Sequence, residues 1–147
     1  MNFDLFLDKL IAWEKTISIT SPVALQVRRA YFGAPADAIT DLPCIINSLA
    51  ETDRTLGLAG RREETYRINV QLLAAKATPE DERSSRIAAA FWFAAKDVFD
   101  ADTTIGGTVL FSTLRGANPT VPVLLQHGGM AYIGFDGFLE VQNIEVV

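Results

Sequence analysis

Apolar residues recur at helical spacing in two segments of the chain. Residues 2–17 carry one apolar stripe with charged residues off it, a pattern typical of an amphipathic helix. Residues 78–100 predict a longer helix, because Thr78 suits the N-cap, Pro79 suits the first helical position and three acids follow at the positive end of the helix dipole. Its apolar residues form two adjacent stripes, together wide enough to cover a sheet: Ile87, Phe91, Ala94 and Val98 in one, and Ala88, Trp92, Ala95 and Phe99 in the other.

Alternating apolar and polar residues predict strands in the rest of the chain. The cleanest alternation lies in 65–76, whereas 24–32 alternates less regularly because Arg29 falls on its apolar side. The order of helix, strands, helix and strands predicts one α+β domain over 1–147, with a mainly antiparallel sheet flanked by an N-terminal helix and one long central helix. The other predicted strands are 42–49, 107–115, 121–126, 130–135 and 138–147.

Residues 51–62 are polar and contain Gly57 and Gly60, which predicts a long hairpin loop. A loop of this length in a compact domain is usually either functional or disordered, and both interpretations stay open. Two leucines at an exposed tip are costly unless a partner covers them, which favours an interaction role. The candidate contact residues in this segment are Arg54, Leu56, Leu58, Arg61 and Arg62.

Three residues of the long helix are further candidate contacts. Phe93 lies outside both apolar stripes, so it either packs under a loop or meets another subunit. Asp100 and Asp102 flank the end of the helix, where carboxylates are electrostatically unfavourable. They either cap the following turn or face a partner.

Charge and composition narrow the classes of function. The chain has 147 residues, a net charge of −5 and no run of Lys or Arg, which argues against non-specific binding to nucleic acid through phosphates. The one cysteine excludes an intramolecular disulfide and suits a reducing compartment. The first residues lack the cationic start of a signal peptide, and no apolar stretch is long enough to span a bilayer, so we expect folding in the cytoplasm.

No catalytic, cofactor or metal site is expected from the residues present. His127 with Gly128 and Gly129 is similar to the oxyanion loop of some esterases, but the chain lacks their Gly-x-Ser-x-Gly motif. Cys44 lies in an apolar strand and is best interpreted as a small buried hydrophobe. One Cys and one His are too few for the usual zinc sets. The chain is therefore not expected to be an enzyme.

Several short motifs together resemble a known family. They are DLPCII at 41–46, YRINV at 66–70, TTIGGTV at 103–109 and GMAYIG at 129–134. In this order, and with the N-terminal helix, the chain from about residue 40 to 147 resembles the tail terminator (tail completion) proteins of long-tailed bacteriophages.

That resemblance implies a mixed sheet flanked by helices and a homohexameric ring on the tail tube. The ring ends tube polymerisation and docks onto the neck. The implied partners are other copies of the chain, the tail tube protein and a neck or head-completion protein, with DNA passing through unbound. No cofactor or catalytic residue is implied, and the location is the virion, after assembly in the host cytoplasm. Another neck or head-completion component, a small-ligand-binding domain and an enzyme remain as alternatives.

Overall fold

The computed structural model describes residues 2–33, 39–56, 60–78, 82–116 and 121–146, with only the backbone described at 55–56 and 144–146. Within these residues the chain is an α+β fold, as the sequence predicted. The helices are α1 (Phe3–Glu14) and α2 (Glu82–Ala101), and the strands are β1 (Ser18–Ile19), β2 (Leu25–Gln26), β3 (Arg29–Phe32), β4 (Cys44–Leu56), β5 (Arg61–Lys76), β6 (Phe111–Gly116), β7 (Val123–His127) and β8 (Met130–Val146).

Helix α1 begins at an asparagine cap and ends earlier than the sequence predicted. The side chain of Asn2 accepts a hydrogen bond from the backbone N–H of Leu5 at 3.1 Å. Phe6 and Leu10 are fully buried, which confirms the predicted apolar stripe. The helix stops at Glu14. Ile17, which the sequence predicted inside the helix, is buried just after its end.

Helix α2 lies on the sheet with the wide apolar face that the sequence predicted. Of its two predicted stripes, the buried members are Ile87, Ala88, Phe91, Ala95 and Phe99. The half-buried Trp92 also packs edge-on against Phe135 of β8, with ring centroids 5.1 Å apart. The described helix begins at Glu82, and the predicted start at Pro79, Glu80 and Asp81 lies outside the described residues.

The main sheet has six strands and is mixed, mostly antiparallel. Its order is β3-β4-β5-β8-β6, and β7 pairs with β8 beyond the end of β6. Only β3 and β4 run parallel among the described pairs. Strands β1 and β2 form a separate two-stranded sheet.

The two faces of the main sheet differ in what covers them. One face packs against α1 and α2 and forms the main core, which includes Ile68, Val70 and Leu72 of the cleanly alternating strand. The other face carries a smaller apolar cluster at one end only. The members of that cluster are Ile39, Cys44, Ile46, Leu73, Leu125 and Tyr132.

The predicted loop at 51–62 is wrong, because most of this segment is strand. Strand β4 continues to Leu56 and β5 begins at Arg61, so the two strands pair across nearly the whole segment. Residues 48–54 of β4 are all exposed, so no side of the strand is buried and no apolar alternation develops. Backbone hydrogen bonding rather than burial makes the segment a strand, which a periodicity argument does not detect.

Two other strand predictions need correction. The segment predicted as one strand at 24–32 is divided into β2 and β3, and the irregular Arg29 is exposed and ion-paired with Asp41 at 3.4 Å. The strand predicted from about residue 107 begins only at Phe111, because 103–108 form turns.

The predicted break at Asp136-Gly137 is also wrong, since β8 runs without interruption. Asp136 pairs with Gln71, and Gly137 pairs with both Val70 and Gly116. A Cβ atom at Gly137 would lie 3.1 Å from the Trp92 ring, so this glycine makes room for a packed aromatic residue rather than for a turn.

Candidate assembly surface

Strands β4, β5 and β8 extend together beyond the helices as a three-stranded arm. The arm consists of residues 48–56, 61–67 and 140–146, whose registers align across all three strands. Strand β3 covers the outer edge of β4 only as far as Asn47. Beyond that residue the edge of β4 pairs with no strand in the described part of the chain, which leaves backbone donors and acceptors free for another strand.

One side of the arm and its neighbouring strands is an open polar face turned away from the helices. Arg67 lies over the ring of Phe138 with its guanidinium carbon 4.0 Å from the centroid, and Arg115 pairs with Glu140 at 2.9 Å. Cross-strand pairing places twelve residues on this face: Ser48, Asn69, Phe138 and Arg115 in one row, Glu51, Arg67, Glu140 and Thr113 in the next, and Asp53, Thr65, Gln142 and Phe111 in the third.

The charged side chains on this open face differ in whether they contact another side chain. Of the arginines on this face, Arg67 and Arg115 already contact a side chain of the same face, as described above. The carboxylates of Glu51 and Asp53 form no ion pair with a described residue and lie on exposed positions. Counting Glu63 and Arg61 farther along β5, the described part of this face carries four carboxylates and three guanidiniums, so it offers little attraction to phosphate.

The helix-facing side of the arm carries a groove beside the first residue of α1. The groove has a volume of about 610 Å³. Its apolar end contains Phe3 and the exposed Leu49, and its polar end contains an ion pair from Arg54 Nη2 to Glu64 Oε1 at 2.7 Å. The described residues that line it are Phe3, Leu49, Thr52, Asp53, Arg54, Arg62, Glu64 and Tyr66. Asp53, which cross-strand pairing places on the open face, borders both surfaces.

The structure therefore separates the five candidate contacts predicted for 51–62. Arg54 and Arg62 line the groove. Arg61 lies two residues before Glu63 and belongs to the opposite face. Leu56 ends β4, and Leu58 lies outside the described residues.

Phe93 and Asp100 lie away from the arm, on the exposed surface of α2. Phe93 is 69% exposed, so the interpretation that it packs under a loop is wrong, whereas a subunit contact stays a prediction. The Asp100 carboxylate lies 3.9 Å from the ammonium of Lys96, one helical turn earlier. An exposed pair of this kind contributes little to stability.

Asp102 has an internal role as the cap of the turn that follows α2. Its Oδ1 accepts hydrogen bonds from the hydroxyl of Thr104 at 2.6 Å and from the backbone N–H of Thr104 at 2.9 Å, and its Oδ2 accepts one from Gly106 N–H at 3.0 Å. These bonds, that of the Thr104 side chain first, lower the pKa of Asp102. Of the two interpretations of Asp102, the structure favours the turn cap.

Among the described residues, Cys44 and His127, the side chains that could carry chemistry, form no hydrogen bond with each other. Burial, with a smaller contribution from Asp41, raises the pKa of the Cys44 thiol to about 11, which disfavours a thiolate. His127 ends β7 instead of lying in a turn, and its Nε2 lies 3.2 Å from Gln71 Oε1. Among the described residues no group of three or more His, Cys, Asp or Glu is placed to hold a metal ion.

Sequence reasoning missed one buried polar pair, formed by Glu14 and Asn47. Both side chains are fully buried, and the Asn47 amide donates to Glu14 Oε1 at 2.6 Å. Glu14 follows the buried Leu10 by four residues, so its position on the apolar stripe was a signal that could have revealed it.

The fold and this surface define an α+β domain with an open strand edge, an open polar face and a groove. Compared with protein-family models and with curated proteins, the chain matched none. In the described part of the chain, no helix combines the length and the apolar character needed to cross a membrane.

Proposed function

We propose that this chain is a structural virion protein that closes the end of a bacteriophage tail tube as a ring of identical subunits. The arm is the observation that carries the proposal, because it combines one open edge with two faces of different chemistry. A closed ring needs two different complementary surfaces on every subunit. The motifs at 41–46, 66–70, 103–109 and 129–134, which resemble those of tail terminators, indicate the kind of assembly.

The open polar face is suited to the wall of a channel that DNA crosses. Duplex DNA carries about one negative charge per 1.7 Å of its axis, so any cluster of available cations would hold it. On this face Arg67 and Arg115 are engaged with Phe138 and Glu140, and Arg61 lies two residues from Glu63 on the same side of β5. Glu51 and Asp53 project carboxylates. Such a wall repels phosphate weakly and holds none, which suits passage without binding.

In this proposal six copies form the ring in the virion, after assembly in the host cytoplasm. One end of the ring caps the tail tube protein and the other receives the neck or head-completion protein, with no cofactor. The alternative assembly role is that of a subunit in another neck or head-completion ring, because the same surfaces would suit such a ring.

A small-ligand-binding domain is the second candidate, and the groove is the observation that favours it. Its volume of about 610 Å³ falls within the range of ~300–1,000 Å³ typical of ligand pockets. Among the described residues, its charged lining has two acids, Asp53 and Glu64, and two bases, Arg54 and Arg62, and Arg54 already pairs with Glu64. A balanced, internally paired lining gives no preference for a charged ligand and suits a protein segment of mixed charge better.

Tube growth in the presence of this protein tests the proposal. Purified tail-tube subunits encoded by the same genome would be polymerised with and without the chain while light scattering reports tube length. We expect growth to stop at one ring, about six chains, per tube end. Tubes that lengthen equally at saturating concentrations of the chain would overturn the proposal.

The tip of the arm can be tested separately from the ring. The double substitution L56D/L58D is expected to leave the chain folded by circular dichroism and to raise the concentration needed for tube capping by at least about tenfold, a loss of ~1.4 kcal/mol or more. L124D/M130D is the matched control, because these two exposed apolar residues lie at the opposite end of the sheet. Unchanged capping by L56D/L58D would refute a role of Leu56 and Leu58 in assembly. It would not contradict ring formation, which the growth assay tests.

A further inference from the structure

The last residue of α1 reaches into the interior of the domain. The side chain of Glu14 is fully buried, and its Oε1 accepts a hydrogen bond from the Nδ2 amide of Asn47 at 2.6 Å. The same amide donates its second hydrogen to the backbone carbonyl of Tyr31 at 3.0 Å. Asn47 therefore joins the end of α1 to β3 and β4, and both of its amide hydrogens are used.

Two oxygen atoms of this pair remain without a donor. Glu14 Oε2 and Asn47 Oδ1 are both buried and have no hydrogen-bond partner among the described residues. An ionised glutamate would leave two acceptors unpaired in an apolar interior, which is strongly unfavourable. A proton on Oε2 removes the charge and turns one of these acceptors into a hydroxyl donor, and a carboxylic acid and an amide are able to form a pair with two hydrogen bonds.

The surroundings of the pair provide no compensating charge. Cross-strand pairing places Asn47 beside Phe32 of β3 and Val70 of β5. Its neighbours on the same face of β4 are Ile45 and Leu49, so these positions are all apolar.

The charged groups of the packed elements are directed elsewhere. On α1 the ionisable residues other than Glu14 are exposed: Asp4, Asp8, Lys9 and, just after the helix, Lys15. On α2, Lys96 donates to the carbonyl of Leu114, Arg86 pairs with Glu82, and Arg83, Asp97 and Asp100 are exposed. The ionisable side chains on the same face of β5 are Tyr66, which packs against the rings of Phe3 and Phe6, and, farther along the arm, Glu64 and Arg62. Glu64 is paired with Arg54 at 2.7 Å.

We propose that Glu14 is a neutral carboxylic acid in the folded protein and that its pair with Asn47 is a proton-dependent latch holding the end of α1 on β3 and β4. The latch is independent of the proposed function. Because Phe3 of the same helix lines the groove, loosening α1 would also loosen one wall of that groove.

Burial supports this assignment by raising the pKa of Glu14 to about 8, against a smaller opposing effect of the Asn47 hydrogen bond. The folded-state pKa therefore lies above the unfolded value of 4.5. The contribution of the latch to stability is fully present below the unfolded pKa and is lost as pH rises through the folded one. Between those values the folding equilibrium constant should fall by up to about tenfold per pH unit through this one group.

The test is a carboxyl titration by ¹³C NMR together with urea unfolding from pH 5 to pH 9. We expect the pKa of the Glu14 carboxyl to be about 8 rather than 4.5, and E14Q, a neutral isostere, to lose the pH dependence that Glu14 contributes. E51Q is the matched control, since Glu51 is exposed on β4, and it should keep the wild-type pH dependence.

Three results would overturn the latch. One is a Glu14 titration near 4.5 in the native protein. Another is an E14Q chain whose unfolding free energy varies with pH as in the wild type. The third is an E14Q chain that is unfolded at neutral pH, because a neutral isostere would then have replaced a charge that the fold requires.

Discussion

Gly134 provides a sharp test of the uninterrupted strand β8. A Cβ atom at this position would lie 1.6 Å from the carbonyl oxygen of Leu72 and 3.2 Å from the Cα of Leu73, both backbone atoms of β5. Backbone cannot rotate away as a flexible side chain can, so G134A must separate β5 from β8 locally. The irregularity in pairing just after Leu73 marks where the two strands already approach each other unusually.

The size of the effect follows from the bonds that separation would break. Losing about two backbone hydrogen bonds costs roughly 2 kcal/mol, and overpacking adds ~1–3 kcal/mol. The sum of about 3–5 kcal/mol is a large part of the ~5–15 kcal/mol that stabilises a typical domain. For a chain of this length it corresponds to a fall in Tm of about 6–20 °C.

Urea and thermal unfolding of G134A and G137A would measure this effect. At Gly137 the nearest atoms to a Cβ are 3.0 Å and 3.1 Å away, and one of them belongs to the Trp92 side chain, so G137A should cost less than G134A. A G134A chain as stable as the wild type would refute the reasoning, because β8 could not then lie against Leu72 as described.

Other substitutions separate the buried positions from the exposed ones. Cys44, with its pKa raised to about 11 mainly by burial, should react with Ellman's reagent at pH 8 only as fast as the chain unfolds, and faster labelling would contradict its place in β4. F6A should cost ~3–5 kcal/mol in urea unfolding because the ring is fully buried, whereas F93A should cost less than ~0.5 kcal/mol, and equal losses would contradict the packing of α1. The double charge reversal E51K/D53K should keep the fold and give assembled rings a salt-dependent affinity for duplex DNA, measured by fluorescence anisotropy. Rings of this variant that bind no DNA would contradict the proposal that the open face lines the channel.

The charge reversal needs a control of equal charge away from the open face. E82K/D97K changes two exposed acids of α2 and adds the same four charges. Rings of that variant should bind duplex DNA more weakly than rings of E51K/D53K, because an outer surface lacks the converging walls of a channel.

The sequence predicted those parts of the fold in which burial imposes a period. The stripe through Phe6 and Leu10, the two stripes of α2 and the alternation of β5 all come from one side of an element facing the core. The α+β class followed from the order of these elements.

Where burial imposes no period, the sequence was misleading. Residues 48–54 are exposed on every position, so β4 resembled a loop. Asp136 and Gly137 resembled a turn, although the glycine is there to admit Trp92. Such features depend on neighbours distant in sequence, which local patterns do not record.

The candidate contact residues were also predicted only in part from the sequence. The sequence predicted Arg54, Arg61 and Arg62 in a loop, whereas the structure has them on strands, with Arg54 and Arg62 in the groove and Arg61 on the opposite face. Asp102 was recognised as misplaced for a helix end, and the turn that it caps became evident only with the positions of Thr104 and Gly106. Glu14 was missed because a single acid on an apolar stripe resembles a helix-end residue in water.

Electron microscopy of tube ends tests the central claim most directly. Tail tubes assembled from subunits of the same genome would be imaged with and without this chain, and the added density at their ends would be averaged. The proposal predicts tubes that end in a ring of about six copies, with an open channel lined by the face that contains Glu51 and Asp53. Bare tube ends at saturating concentrations of the chain would contradict it.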